Sequence, residues 1–461
     1  MHCSVVIPCL GRADLTRACI ASLLVQTGGH DLEILLVDNQ NDPATQALAT
    51  MGPRISVLVQ SRNLGFAGGC NRGLAAATGT FVLVLNNDTQ AAPSMLTRLH
   101  RALCSDDRIG FAAPISNRVK GEAGVRVGDL GATAEGRAKL EREACEPCSG
   151  LVQDVDSLSG LCLLARRTTW QQFAGFDERF VPGNFEDDDL CLRARLAGLR
   201  LVIARDAFLH HEAHQSFRAL GLDVHQEIRR QHAVFARKWQ SDPAGRAVLA
   251  AMNGDYGGAA LAAMAAQRLH PAWPDADWWI ARWHCQNGQW ATAQPFLQSL
   301  LQRCPHHSTA VTQLGLCLLH QAKLPEARKL WGWALEACWF PLDQACEMLV
   351  RLGEHAKVRG DLDTAGEDFA SALSLNPTDP ALMNRLGALR IEQRRFDDAL
   401  PLLEQAALQG LALAHTNLGI CHYQRGDGAR ALDHFQKAAQ QLPDDQTAQA
   451  NYEKARAHSA R

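Results

Sequence analysis

Six alanines, Ala259, Ala293, Ala327, Ala365, Ala399 and Ala431, recur at a spacing of about 34 residues. Twelve residues before the last five stand Ala281, Gly315, Gly353, Gly387 and Gly419. Twelve residues after four of the alanines come Pro271, Pro305, Pro377 and Pro443. A small side chain at a fixed place in each unit lets two helices touch closely, and the proline ends the second helix. From about residue 241 the chain is also rich in Ala, Leu and Gln. Such a pattern excludes a single compact core for this part. It predicts helical hairpins stacked into a solenoid, each unit resting on its neighbours.

The first 240 residues obey a different grammar. Ser4–Ile7, Leu32–Val37, Ile55–Val59 and Phe81–Leu85 are continuous apolar runs of strand length, with room for helices between them. Runs of that kind predict a parallel sheet buried on both faces, and ligands of such sheets gather beyond the carboxyl ends of the strands. The chain of 461 residues therefore divides near residue 240 into an α/β domain, 1–240, and an all-α repeat domain, 241–461.

Charge narrows the class further. With 46 basic and 49 acidic side chains, the net charge of −3 gives no phosphate-backbone footprint, so a nucleic-acid partner is not expected. No apolar run approaches the ~20 residues of a membrane helix, and no secretory signal is evident at Met1–Cys3. The expectation is a soluble, cytoplasmic chain. The fifteen cysteines fit that compartment: they are scattered, and many sit in apolar runs, as Cys162 and Cys317 do. Cys145–Cys148 has no second pair at zinc-site spacing.

Four clusters of the first half carry chemistry. Pro8 ends the first strand run and Asp38-Asn39 the second, where a carboxylate suits hydrogen bonding to a nucleotide base and ribose. Asn63-Leu64-Gly65-Phe66-Ala67-Gly68-Gly69 is dense in glycine, which permits close approach of backbone to ligand and presents a helix start to phosphate. Asn86-Asn87-Asp88 follows the fourth run. It reads as a strand-end turn or as a ligand set for a hard divalent ion that also takes diphosphate oxygens. Glu186-Asp187-Asp188-Asp189 sets four carboxylates side by side, whose repulsion calls for a cation or a task unless a solvated helix start disperses it.

Together these residues resemble the family 2 inverting glycosyltransferases, in particular their bacterial rhamnosyltransferase-like branch. The resemblance runs from Val6-Ile7-Pro8 and Val37-Asp38-Asn39 through Leu85-Asn86-Asn87-Asp88-Thr89, Ser159-Gly160 and Gly175-Phe176-Asp177-Glu178. It continues over Glu186-Asp187 and ends in His210-His211 with Ser216. The second half resembles tetratricopeptide repeats, five full units preceded by a partial one. The resemblance implies a GT-A fold, a nucleotide-diphospho-sugar donor and a divalent cation, Mn²⁺ or Mg²⁺.

Role by role, the resemblance makes Asp187 the general base, with Glu186 orienting acceptor or base. Pro8, Asp38, Asn63, Gly65, Gly68 and Asn87 become nucleotide-sugar contacts. Asp88 becomes a metal ligand, with His211 closing on the metal and His210 the alternative. Three positions depart from the usual pattern: Cys9-Leu10-Gly11-Arg12, the single carboxylate of Asn86-Asn87-Asp88, and Cys70. Residues 118–157 are expected to form the variable loop on the acceptor side. Trp278 falls where repeat side chains line a groove and is the candidate anchor for an acceptor, whereas Trp331 falls at a packed position. A transferase joined to a peptide-binding type of repeat suggests a protein acceptor such as flagellin. A polysaccharide or lipid-linked acceptor and a non-catalytic scaffold are the competing expectations.

Overall fold

Val5 and Ile7 face one side of the first strand and Val6 the other, and all three are fully buried. The strand, β1 (His2–Cys9), pairs in parallel with β2 (Asp31–Asp38) and with β4 (Phe81–Leu85). Strand β3 (Ile55–Val59) adds in parallel to β2. All four apolar runs are thus strands of one sheet. The structure, a computed structural model, describes residues 1–119, 121–125, 131–212, 223–336 and 342–459.

Beyond β4 the sheet turns mixed, which the expectation of a parallel sheet missed. Strand β8 (Cys162–Arg166) runs antiparallel to β4, and β6 (Ile109–Ser116) antiparallel to β8. Strand β9 (Arg200–His211) is parallel to β6, while β5 (Thr89–Ala91) and β7 (Val152–Val155) both pair antiparallel to β9. Among the described residues nine strands follow the order β3-β2-β1-β4-β8-β6-β9-β5, with β7 off that path.

Helices cover both faces. Ala13–Leu24 and Met95–Leu103 bring Ile20, Leu23, Leu96 and Leu99 onto the Val5 side. Gly65–Ala76 and Glu186–Leu196 bring Ala67, Cys70, Leu190 and Ala194 onto the Val6 side. Each such Leu or Ile contributes about 2 kcal/mol by leaving water. The cysteines of this core behave as small apolar residues. Burial pushes the Cys3 and Cys19 thiols up to about 12, and no disulfide joins any two cysteines among the described residues.

The helical region follows the repeat. All six periodic alanines are fully buried. A Cβ at Gly353, Gly387 or Gly419 would strike Phe369, Leu403 or Phe435 respectively, the large residue one turn after an alanine in the following helix. Helices Tyr256–Leu269, Trp290–Arg303, Leu362–Leu375 and Gly428–Gln441 each stop two residues before the prolines at 271, 305, 377 and 443. Trp331 is fully buried, as its place in the unit predicts.

In packing, the chain forms one compact unit from Met1 to Gln321 and another from Ala322 onward, apart from a short piece near residue 336. The first repeat helices therefore belong to the same body as the sheet. Arg195, on the helix Glu186–Leu196, is wholly buried and its Nε donates to Asp275 Oδ1 at 2.9 Å, at the start of the helix Asp275–Gln286. Trp273 Nε1 donates to the same carboxylate at 3.0 Å. Among the described residues, no helix is long and apolar enough to cross a membrane.

Candidate active site

The carboxyl ends of β1, β2 and β4 open into a cleft of about 630 Å³. Pro8, Asn63, Gly65, Asn87, Asp88, Glu186, Asp187 and His211 all line it. Eight of the residues singled out in the sequence are thereby brought together from five separate stretches of chain.

Asp38 is not among them. Its carboxylate is fully buried and accepts hydrogen bonds from the backbone N–H of Gln40 (3.1 Å) and Asp42 (2.8 Å) and from Gln46 Nε2 (3.2 Å). Those bonds hold the turn after β2, so the expected direct contact to base or ribose is not presented. Asn39 faces the cleft in its place. Its Nδ2 donates to the Gly65 carbonyl at 3.2 Å, and Asn63 Oδ1 accepts from the Gly65 N–H at 2.8 Å.

Gly65 sits at φ +71°, a left-handed conformation that favours glycine, and it opens the helix Gly65–Ala76 at the cleft. The glycines after it serve packing instead. A Cβ at Gly73 would lie 2.2 Å from Val6 Cγ1 on the strand beneath. Gly68 is turned toward Leu64 and Glu178 and does not line the cleft, which removes it from the expected donor contacts.

Asn87 Nδ2 donates to Thr16 Oγ1 at 3.0 Å, which fixes the turn carrying Asp88. The Asp88 carboxylate meets His211 Nε2 at 3.4 Å, and His211 Nδ1 lies 2.8 Å from the Arg118 carbonyl. Burial lowers the His211 pKa, but the Asp88 hydrogen bond and charge, with the Arg118 carbonyl, outweigh it and leave the imidazole above its ordinary value. His210, next along β9, points to the opposite side of the strand, where a Cβ added at Gly131 would meet its Nδ1 at 2.7 Å. It does not line the cleft, so His211 is the histidine that faces Asp88 and the alternative is set aside. Among the described residues no three His, Cys, Asp or Glu side chains form a metal cage. One carboxylate and one imidazole do fit a hard divalent ion that completes its shell with diphosphate oxygens and water.

Across the cleft, Asn184 (φ +78°) and Phe185 (φ +68°) are consecutive non-glycine residues in the left-handed region, and they aim the helix Glu186–Leu196 at the opening. Asp187 is half-buried. Its Oδ2 accepts from the Gly160 N–H at 2.8 Å and its Oδ1 from the Asp188 N–H at 3.0 Å. Burial raises its pKa against these backbone bonds. Glu186 is buried, with Oε2 lacking a hydrogen-bond partner. Burial, and then repulsion from Asp187, holds its carboxyl well above the usual range. Asp189 stands apart: it accepts from Arg193 Nε at 2.8 Å and from Trp239 Nε1 at 2.9 Å, a structural pairing.

Sequence reasoning gave no role to Gly160, whose amide holds Asp187, or to Ile228, which lines the cleft from the helix Val224–Trp239. Gly160 was legible only as part of a resemblance, and Ile228 carried no signal. Arg118, Val119 and Glu122, from the expected acceptor-side loop, do line the cleft. Residue 120 and residues 126–130 of that loop, and Ser216, lie outside the described residues. Trp278 is corrected: it is 4% exposed, with the His307 ring centroid 5.6 Å away and the Arg282 guanidinium 5.7 Å from its ring. It is a buried wall and not an open anchor.

Residues 4–139 match the model of glycosyl transferase family 2. Residues 275–307 and 384–446 match models of the tetratricopeptide repeat. The O-antigen biosynthesis protein RfbC of Myxococcus xanthus is 31% identical over 221 residues, which cover 46% of this chain and 17% of that protein. The N-acetylglucosaminyl-diphospho-decaprenol L-rhamnosyltransferase of Mycobacterium tuberculosis is 28% identical over 227 residues, covering 43% of this chain and 72% of that enzyme. The solved structure of YrrB, a tetratricopeptide-repeat protein with an unusual peptide-binding site, covers 41% of this chain and 97% of its own at 20% identity and a TM-score of 0.34.

Proposed function

Because the chain carries a glycosyl transferase family 2 domain ahead of tetratricopeptide repeats, we propose that the cleft transfers a sugar from a nucleotide-diphospho-sugar to an acceptor hydroxyl with inversion. The observation that carries this reading is the meeting of Asp187 with the Asp88–His211 pair in one cleft at the strand ends. Asp187 takes the proton of the acceptor hydroxyl while that oxygen bonds to the anomeric carbon, and the bond from that carbon to the diphosphate oxygen breaks on the opposite face. A pKa raised by burial makes Asp187 a stronger base than an ordinary carboxylate, and the Gly160 and Asp188 amides fix its direction. Glu186, whose buried carboxyl is held well above the usual range, would in its neutral form donate a hydrogen bond to the acceptor or to Asp187.

Asp88 and His211 would hold a divalent cation, Mn²⁺ or Mg²⁺, which when bound offsets charge on the leaving diphosphate. Pro8, Asn39, Asn63 and Gly65 would take the nucleotide end, with Asp38 supporting their turn from behind.

For the donor, the mycobacterial relative's rhamnosyl specificity makes dTDP-rhamnose the first to test. For the acceptor, the repeats favour a protein such as flagellin, recruited to the cleft in the cytoplasm. A second reading, transfer to a lipid-linked or polysaccharide acceptor, is favoured by the O-antigen and decaprenol names of the two relatives. Labelled dTDP-, UDP- and GDP-sugars incubated with the protein, Mn²⁺ and a cell extract separate the two. Label in protein supports the first reading, and label confined to lipid or polysaccharide supports the second. A chain that neither transfers nor hydrolyses any donor is a non-catalytic scaffold, and the enzymatic reading falls.

A further inference from the structure

The loop that carries Gly160 does not stand alone. Asp156, four residues earlier, receives a hydrogen bond from His307 Nε2 at 3.0 Å, and His307 is 2% exposed. His307 immediately precedes the repeat helix Ser308–His320 and accepts the Ala310 N–H on Nδ1 at 3.3 Å, which leaves its proton on Nε2 to point at Asp156. Between Asp156 and Gly160, Ser157 Oγ donates to Asp188 Oδ1 at 3.0 Å, and Gly160 N–H donates to Asp187 Oδ2 at 2.8 Å. One short segment thus grips the proposed base at its far end and a repeat-helix start at its near end. The same helix start reaches the other rim of the cleft. Ser308 Oγ donates to Glu122 Oε2 at 2.8 Å, and Glu122 lines the cleft.

The geometry points to His307 as a positioning residue for the transfer reaction, acting through Asp156 and the Gly160 amide on Asp187, so that the first repeats are part of the catalytic wall as well as a recruiting arm. This rests on the reading of Asp187 as the base. A base displaced by about 1 Å loses on the order of 10²-fold in rate. The loop also meets the helix Glu186–Leu196 through Leu158, whose N–H donates to Cys191 Sγ at 3.2 Å, but the bond it makes to the Asp187 carboxylate itself comes from the Gly160 N–H. Losing the Gly160 bond also removes an interaction that lowers the Asp187 pKa, so the base would stay protonated to higher pH.

The test compares wild type, His307→Ala and His307→Gln in the full chain. Initial rates of donor turnover are read across pH, alongside amide hydrogen exchange of the peptide spanning 156–161. His307→Ala is expected to lower kcat about 10- to 100-fold with donor KM nearly unchanged, to move the acidic limb of the kcat profile to higher pH, and to speed exchange in 156–161 while β1 and β4 stay protected. His307→Gln, which keeps a donor near the Nε2 position, is expected to recover most of the rate and the protection. An unchanged acidic limb with unchanged exchange overturns the proposal, as does exchange that rises equally in β1 and β4. A wild-type protein that turns over no nucleotide-sugar removes the transferase reading instead, and the exchange result then decides the anchoring by itself.

Discussion

His211 Nε2 stands 3.4 Å from Asp88 Oδ1 because β5 pairs with β9 in a register that sets Thr89 opposite His211. The Glu212 N–H closes that ladder on the Asp88 carbonyl at 3.0 Å. The pair is therefore a product of strand pairing. Asp88→Ala and His211→Ala are each expected to abolish the Mn²⁺-dependent rise in melting temperature given by a nucleoside diphosphate, a rise of a few degrees at saturating ligand. His210→Ala is expected to keep it. Differential scanning fluorimetry with and without Mn²⁺ reads all three, and an intact shift in His211→Ala would reverse the assignment.

Asp187→Asn keeps the shape of the side chain and removes its basicity. The expected result is a kcat lower by about 10²- to 10⁴-fold with donor KM changed only a few-fold. Steady-state kinetics of nucleoside diphosphate release check it. A loss expressed mainly in KM would make Asp187 a binding group.

Glu186 supplies a pH dependence whose sign follows from burial. Its folded pKa lies well above the ordinary 4.5, so the folded state keeps a proton that the unfolded chain releases. Stability is accordingly lost as pH rises from the ordinary carboxylate range toward the raised value. Glu186→Gln, permanently neutral, is expected to melt a few degrees higher than wild type at pH 7 and equally at pH 4. Thermal melts across that range test it, and a variant less stable at pH 7 would show that the charge is stabilised in place.

Arg195→Ala leaves the Asp275 carboxylate buried without its cation, a change that costs about 3–5 kcal/mol. Removing both charges, Arg195→Met with Asp275→Leu, is expected to cost less than Arg195→Ala alone. Urea denaturation of the two variants makes the comparison. Equal losses would mean that the pair matters by its shape and not by its charge.

Strands β1, β2 and β4 were legible because their cores are buried on both faces and so had to be apolar, whereas β3, at the edge of the sheet, was legible from its β-branched run alone. The helix ends were legible because Pro271, Pro305, Pro377 and Pro443 allow no continuation. What could not be read was pairing at a distance. Nothing local in β8 or β9 says that one runs against β4 and the other along β6.

The same limit governs the site. Asp88, Asp187 and His211 each sit in a motif of characteristic residues, and all three face the cleft. Asp38 and Gly68 shared those motifs, yet one carboxylate is spent on its own turn and the other position faces Leu64. Side-chain direction decided both, and a motif does not carry it. Trp278 obeyed the repeat register, but His307, which belongs to a later helix start, covers its ring.

The buried grip of Arg195 on Asp275 has a practical consequence for anyone dividing this protein. A fragment ended at residue 240, where the composition changes, would take Asp275 from the buried Arg195 guanidinium and leave Asp156 and Glu122 without their helix-start donors. A fragment ended after Gln321 keeps all of these partners. The smallest self-sufficient piece of this fold is thus larger than its sheet, and a foreign repeat array is better grafted onto it downstream of that point than upstream.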